Sequence, residues 1–273
     1  MLSNYTPVDL VTDLRSKVLE PDVDLSVIIP AWNEGWCISE SLSVIANVLE
    51  RVQSIELLIV DDGSTDDTVA QVQRWIKGHP CTKSNLIRLP NNRGKGQAIA
   101  EGGRRARGRF VAYIDADLEI PAIELAHLYQ WARRYPQDII VGSKRQHSAY
   151  CGATFFRSVV SWSFSIIIRY LFHLSVTDTQ TGIKIFPQPA LKQAIEKMTI
   201  KGYLFDIELL MLAQRLSGAS IHEVPVEYRP RRPVSRIGLR HLWASTKEVL
   251  YLYRRYYITS NRSHEATYAH FDA

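Results

Sequence analysis

Three carboxylates, Asp115, Asp117 and Glu119, alternate with Ala116 and Leu118 where an apolar run, RFVAYIDAD (109–117), comes to its end. In an extended chain, positions i, i+2 and i+4 point to one side, so the three acids are expected to converge at the end of a strand. Carboxylates that close repel one another unless a cation joins them. A hard divalent ion such as Mg2+ or Mn2+, which keeps part of its water and takes phosphate oxygens, suits that set. The plainer account is a solvated acidic turn that caps a helix before Pro121. The strand that runs straight into the acids favours the metal. A second acidic strand end is Asp61-Asp62-Gly63-Ser64-Thr65-Asp66. An Asp there can accept hydrogen bonds from a ribose or a base, or it can simply cap the turn.

Asn91-Asn92-Arg93-Gly94-Lys95-Gly96 offers backbone N–H groups and two cations just before a helix, an arrangement suited to phosphate. It departs from the P-loop pattern, because Lys95 is followed by Gly, and from GxGxxG, because Ile99 stands at the third Gly. An exposed basic loop is the simpler reading of the segment by itself. Phe155 to Leu174, placed on a helix, gathers Arg157, Ser158, Ser161, Ser165, Arg169 and His173 on one side and apolar residues on most of the rest. Such a helix can lie at a membrane interface or line a core.

These residues need a frame. The chain has 273 residues, 46% of them apolar and 22% charged, which is ordinary globular composition and excludes a disordered or fibrous protein. Lys plus Arg number 33 against 28 Asp plus Glu, a net charge of +5, too mild an excess to suggest a nucleic-acid partner. Cys37, Cys81 and Cys151 are too few and too scattered for a disulfide framework or a zinc site. The sequence predicts neither a signal peptide nor a membrane span. Strands are expected at 25–30, 56–62, 85–90, 109–117 and 138–144, with helices at 39–52, from 65 or 66 to 76, and at 96–106. This alternation predicts an α/β fold with a mostly parallel central sheet and flanking helices, whose ligands bind beyond the strands' carboxyl ends. After 150 the pattern becomes a long helical stretch, a mixed region and a basic tail.

Taken together, the motifs resemble those of the family-2 inverting glycosyltransferases with a GT-A (Rossmann-like) fold, and most closely the polyprenyl/dolichyl-phosphate hexosyltransferases. The likeness covers roughly 24–258. It rests on SVIIPAWNE (26–34), IVDDGSTDDT (59–68), NNRGKGQA (91–98), YIDADLE (113–119), VGSK (141–144), DTQTGIKIF (178–186), KGYLFDIELL (201–210), EVPVEY (223–228) and SRI (235–237), in family order. A polar leader at 1–23, a single domain at 24–258 and a tail at 259–273 follow as expectations. Gln71 to Trp75 also matches QxxRW, a signature of processive polysaccharide synthases, but on the wrong side of the DAD motif; it is read as coincidence.

The resemblance implies roles. Pro30, Trp32, Glu34 and Asp62 would hold the donor nucleotide, with Ala116 and Lys95 alongside. Asp115, Asp117 and Glu119 would carry Mg2+ or Mn2+ and the diphosphate. Lys144 stands where the family usually has Arg, a point charge in place of a fork. Arg157 and Ser161 would bind the acceptor phosphate, and Arg236 would reach the leaving group from a segment, 229–237, that closes over it. Asp178 and Asp206 would organise the site. The implied reaction passes a hexose from a nucleotide sugar, UDP-glucose before GDP-mannose, to a polyprenyl or dolichyl phosphate. The alternative is a soluble, protein or polysaccharide acceptor with Asp206 as base. The implied place is the cytosolic face of a membrane, held peripherally, with a separate membrane-anchor partner as one possibility.

Overall fold

Runs of Val, Ile and Leu too short for helices build the sheet. The computed structural model describes residues 23–50, 52, 54–144, 170–200, 202, 204–231 and 247–258. Its strands are β1 (Leu25–Ala31), β2 (Ile55–Asp61), β3 (Ser84–Arg88), β4 (Phe110–Ile114), β5 (Ile139–Ser143), β6 (Ile183–Pro187) and β7 (Ile221–Pro225). They form one seven-stranded sheet in the order β3-β2-β1-β4-β6-β5-β7. Only β6 runs antiparallel to its neighbours, β4 and β5. The helices are α1 (Ile38–Val48), α2 (Thr68–Gly78), α3 (Lys95–Arg105), α4 (Ile123–Arg134), α5 (Gln188–Lys197) and α6 (Phe205–Ser217). A helix over 247–253 runs on into a π-helical turn, Arg254–Ile258.

Period-2 alternation divides the side chains between two cores. Val111 and Tyr113 of β4 pack with Ile99 of α3, Leu191 of α5 and Ile207 of α6. Phe110, Ala112 and Ile114 face the other way, with Leu42 of α1, Val72 of α2 and Leu125 of α4. Both faces of the sheet are covered, which is why β1, β2 and β4 read as continuous apolar runs and not as alternating ones. After β1 the chain builds outward through β2 and β3, then returns to lay β4 on the other side of β1. That reversal opens a crevice at the carboxyl ends of β1 and β4.

The expected fold class holds, with local differences. β4 ends at Ile114 and not at Asp117, because the chain turns there. Leu118 N–H bonds back to the Asp115 carbonyl at 3.2 Å, and Leu118 takes a positive φ of 50°. Alternation nonetheless survives in exposure: Asp115, Asp117 and Glu119 are half-buried, and Ala116 and Leu118 are buried. β6 and β7 fall in the region the pattern left mixed. Of the expected helix 155–174, only 170–174 lie among the described residues, with 170–172 helical. The leader to residue 22 and the tail from 259 lie outside them, as does Cys151.

At the opposite end of the sheet from the crevice, the β2 residue Glu56 has a side chain with no exposure. Its carboxylate accepts the Ser26 hydroxyl at 2.6 Å, the Arg107 N–H at 2.8 Å and the Arg107 guanidinium at 2.8 and 3.1 Å. Burial works to raise its pKa, but Ser26 and Arg107 outweigh burial and hold it below 4.5. The folded-state value is below the unfolded one, so this contribution is complete above about pH 4.5 and is lost as pH falls through the folded value. Urea melts should show Glu56→Ala destabilised by about 1–3 kcal/mol near neutrality, from donors left unpaired. The gap to wild type should narrow on acidification.

Candidate active site

The turn after β1 hangs on the turn after β2. Asn33 N–H donates to Ser64 Oγ (2.9 Å), Glu34 N–H to Thr68 Oγ1 (2.8 Å) and Gly35 N–H to Asp66 Oδ2 (3.0 Å). Asn33 Oδ1 accepts the Thr65 N–H in return, at 2.8 Å. This lacing leaves Pro30 half-buried and presents Trp32 outward, 51% exposed, as a face on which a flat ring can stack. Glu34 turns inward, accepting the Trp36 indole N–H (3.1 Å) and the Cys37 thiol (3.6 Å). That thiol also lies 3.6 Å from the carbonyl of Ala116, so it bridges the ends of β1 and β4. Burial, then the charge of Glu34, pushes its pKa up to about 12, which leaves it a packing group and not a nucleophile.

The two acids that end β2 do different work. Asp61 caps its own turn through Ser64 N–H (3.1 Å) and lines a cavity of about 440 Å³ with Gly63, Ser64, Arg88, Pro90 and Asn91. Asp62, expected to hold the donor, is outside that lining. Its two oxygens accept the N–H groups of Arg93 and Gly94, both at 2.8 Å. Asp62 therefore fixes the loop before α3. Gly63 permits the contact: its φ is +72°, and a Cβ there would meet the Asn91 backbone at 2.6 Å.

The loop so fixed delivers Lys95, at the N-terminus of α3, to the end of β4. Its ammonium lies 2.5 Å from Asp115 Oδ1. Burial opposes its charge, but Asp115, Asp206 and Asp117 outweigh burial and hold its pKa above the ordinary lysine value. Gly182 N-terminal to β6 accepts the Asp115 N–H on its carbonyl at 3.1 Å, and a Cβ at Gly182 would overlap the Asp115 carboxylate. Below lies a buried network that the motifs did not reveal. Lys184, with no exposure, donates to Asp206 Oδ1 (2.9 Å) and to the Thr181 carbonyl (2.6 Å), and sits 5.2 Å over the Tyr113 ring. Tyr113 donates its hydroxyl to the same Asp206 oxygen. Burial lowers the Lys184 pKa, and Asp206 opposes the loss of its charge.

The acids at the β4 end fit a hard divalent cation in part. Asp115 and Asp117 offer half-exposed carboxylate oxygens in a place that already draws in an ammonium. Glu119, expected as the third ligand, is engaged elsewhere. It accepts the Tyr228 hydroxyl at 3.1 Å and the Arg231 N–H at 3.4 Å, and its carbonyl accepts the Arg229 N–H at 2.7 Å. Among the described residues no group of three or more His, Cys, Asp or Glu side chains is placed to hold a metal. An ion here would take two carboxylates, then water and phosphate oxygens, as Mg2+ and Mn2+ readily do.

Lys144, just past β5, lies with its ammonium 4.5 Å over the Tyr228 ring, and its N–H donates to Asp178 Oδ2 at 3.2 Å. Arg157, Ser161 and Arg236 lie outside the described residues. The QxxRW match falls on α2, where Gln71 reaches the Gly35 carbonyl and buried Trp75 donates to Ser43 at 2.8 Å. Trp75 thus serves the packing of α2 on α1, and Gln71 fastens α2 to the turn after β1.

A covered, doubly wound sheet gathers two carboxylates, a lysine at a helix N-terminus and an exposed tryptophan at its carboxyl edge, the edge at which such α/β sheets bind their ligands. The sequence model of Glycosyl transferase family 2 matches residues 26–194, and the chain belongs to that family. It is 32% identical over 210 residues to the dolichyl-phosphate beta-glucosyltransferase of Drosophila melanogaster, covering 72% of this chain and 64% of the fly protein. The chain thus spans less than two thirds of that relative. It is 30% identical over 241 residues to the dolichyl-phosphate beta-glucosyltransferase of Dictyostelium discoideum, covering 84% of this chain and 69% of that one. In fold it resembles the glucosyl-3-phosphoglycerate synthase of Mycobacterium tuberculosis solved with UDP: TM-score 0.64, 20% identity, 92% of this chain and 84% of that one. The same enzyme was solved with Mn2+, UDP and phosphoglyceric acid; that structure matches with a TM-score of 0.63 and 20% identity over 90% of this chain and 80% of that one. The GT-A arrangement expected from the motifs is the one present.

The Lys184–Asp206 pair gives a direct test of the buried network. Asp206→Asn strands the Lys184 ammonium without its opposite charge and should cost about 3–5 kcal/mol in urea melts. The double variant Lys184→Met/Asp206→Asn should recover part of that loss, since neither charge then remains buried.

Proposed function

We propose that the chain transfers glucose from UDP-glucose to a polyprenyl or dolichyl phosphate, with inversion at the anomeric carbon; GDP-mannose is the second donor candidate. The observation that carries the reading is the meeting of Asp115, Asp117 and Lys95 at the N-terminus of α3, in a chain whose relatives are named for glucosyl transfer to dolichyl phosphate.

The donor base and ribose would lie against Trp32 and along the Asp61 turn, and the diphosphate would meet Lys95 and Lys144. Asp115 and Asp117 would hold Mg2+ or Mn2+, which supplies Lewis-acid relief of the charge on the departing diphosphate. An acceptor phosphate is already an anion near neutral pH. Its oxygen bonds to the anomeric carbon as the bond from that carbon to the diphosphate breaks. No base is needed, and the chain's own task is alignment and charge screening. Asp206 supports this choice over a hydroxyl acceptor that would need a base, because its carboxylate is buried and committed to Tyr113 and Lys184. Arg157 and Ser161, for the acceptor phosphate, and Arg236, for the leaving group, are proposed from the sequence resemblance alone.

The acceptor's lipid calls for a membrane surface, which we take to be the cytosolic face. No helix among the described residues is long and apolar enough to cross a membrane. Peripheral docking is supported by Tyr170 (81% exposed) and by Leu250 (64% exposed) and Tyr251 on the helix that leads into Arg254 and Arg255. Aromatic and aliphatic groups beside arginines suit an anionic lipid surface.

The decisive assay incubates radiolabelled UDP-glucose or GDP-mannose with polyprenyl phosphate in vesicles and extracts the product into organic solvent. Label left only in the aqueous phase would point to a soluble acceptor. Asp117→Asn should reduce transfer at least a hundredfold and weaken Mn2+ binding in the presence of UDP, with an unchanged melting profile. Near-normal transfer at saturating metal would overturn the metal assignment.

A further inference from the structure

Asp178 sits in a stretch, 174–182, that contains no helix or strand. Such a segment needs side-chain anchors if it is to hold one geometry, and here Glu223 of β7 provides them. Its Oε1 accepts the Asp178 N–H at 3.0 Å and the Thr177 hydroxyl at 2.5 Å, and its Oε2 accepts the Thr177 N–H at 3.0 Å. Asp178 passes the constraint on, because its Oδ2 accepts the Lys144 N–H. Strand pairing puts Glu223 where it can do this. Glu223 is in register with Val141, Val141 with Lys184, and Lys184 with Tyr113. One transverse row of the sheet therefore carries the buried network at one end and Glu223 at the other. Burial works to raise the Glu223 pKa, but the Thr177 and Asp178 donors prevail and keep it lowered, so it stays an acceptor near neutral pH.

We infer that Glu223 is a positioning residue for the transfer reaction: through Asp178 it fixes the point where the chain leaves β5, and so aims Lys144 at the diphosphate. This rests on the reading of Lys144 given under the proposed function. Glu223 itself touches no substrate. Glu223→Gln would set an amide N–H2 against one of the N–H donors it now accepts, so the 177–178 turn should lose its single geometry.

The test is a double-mutant cycle on initial rates with UDP-glucose and polyprenyl phosphate in vesicles, using Glu223→Gln, Lys144→Ala and the pair. Glu223→Gln alone should lower kcat about tenfold, with the donor KM and the melting temperature little changed. In the Lys144→Ala background it should lower kcat less than about twofold, since the group it positions is gone. Thr177→Val, which removes only the hydroxyl donor, repeats the cycle if Glu223→Gln does not fold. Multiplicative losses in both backgrounds would overturn the inference and leave Lys144 in its role. A Lys144→Ala enzyme with unchanged kcat would bring down the reading of Lys144 and the inference with it.

Discussion

A lysine ammonium with no access to water sits beneath the crevice, and the site is built around satisfying it. Removing Lys184 from solvent is costly and tolerable only because the Asp206 carboxylate and the Thr181 carbonyl accept its N–H hydrogen bonds. Asp206 comes from the first turn of α6, Thr181 from the turn before β6, and Tyr113, which shares the Asp206 oxygen, from β4. Three stretches distant in sequence are thereby held at one depth. Asp115 follows two residues after Tyr113, and its backbone pairs with Gly182, two residues before Lys184. The position of the Asp115 carboxylate is thus set by the buried charge below it.

Acidic residues near the crevice divide into two kinds, and the division follows burial. Asp61, Asp62 and Asp206 are buried, and each spends its oxygens on protein donors. Glu223 and Glu119, less buried, do the same for the 177–178 turn and the 228–231 segment. Asp115, half-exposed, instead faces the Lys95 ammonium. A buried carboxylate without donors would be far too costly to keep, so most acids that a motif marks as ligand-binding are first of all fasteners for backbone that lacks secondary structure. The loop before α3 shows the consequence. Without Asp62 the Arg93 N–H would lose its acceptor and the Gly94 N–H would keep only Asn92 Oδ1, at 3.1 Å and within the loop itself, so the approach of Lys95 to Asp115 would loosen.

What the sequence made legible was local. Strands β1, β2 and β4 are mostly apolar runs, broken near their starts by Ser26 and Glu56, and acids close β2 and follow β4 at once; β5 and the helices between them announce themselves similarly. The resemblance of nine short motifs supplied the family and the GT-A frame. What stayed hidden depends on contacts far apart in the chain. β6, IKIFP, has a lysine at its second position that reads as solvent-facing until β4 and α6 close over it. Helix α6 is buried nearly all round, Asp206 and Glu208 included, so it lacks the amphipathic stripe that marks a helix. The different tasks of Asp61 and Asp62 could not be read from adjacency, because only the return of the 91–94 loop decides which one it meets. A sequence signal did exist for Glu223: a carboxylate within a short strand, IHEVP, needs donors, and an unstructured polar stretch that can supply them is TDTQTG.

The electrostatic balance at the β4 end explains how the arrangement can be both stable and receptive. Asp115 and Asp117 lie close enough that both act on Lys95 and raise its pKa. Left alone the two would repel. Lys95 offsets that repulsion by contributing one positive charge, and it comes from a helix N-terminus whose own dipole favours anions. The protein alone therefore leaves the pair short of full neutralisation while keeping donors aimed outward. On the proposed reading, a divalent cation arriving with a diphosphate would supply both missing components together: charge for the carboxylates, and an anion for the lysine and the helix terminus. Neither component alone matches the site as well. On the proposed reading, metal and nucleotide binding would be linked by the same few residues, with Lys95 changing partner from carboxylate to phosphate while the fasteners below, Asp62 and the Lys184–Asp206 pair, keep their contacts.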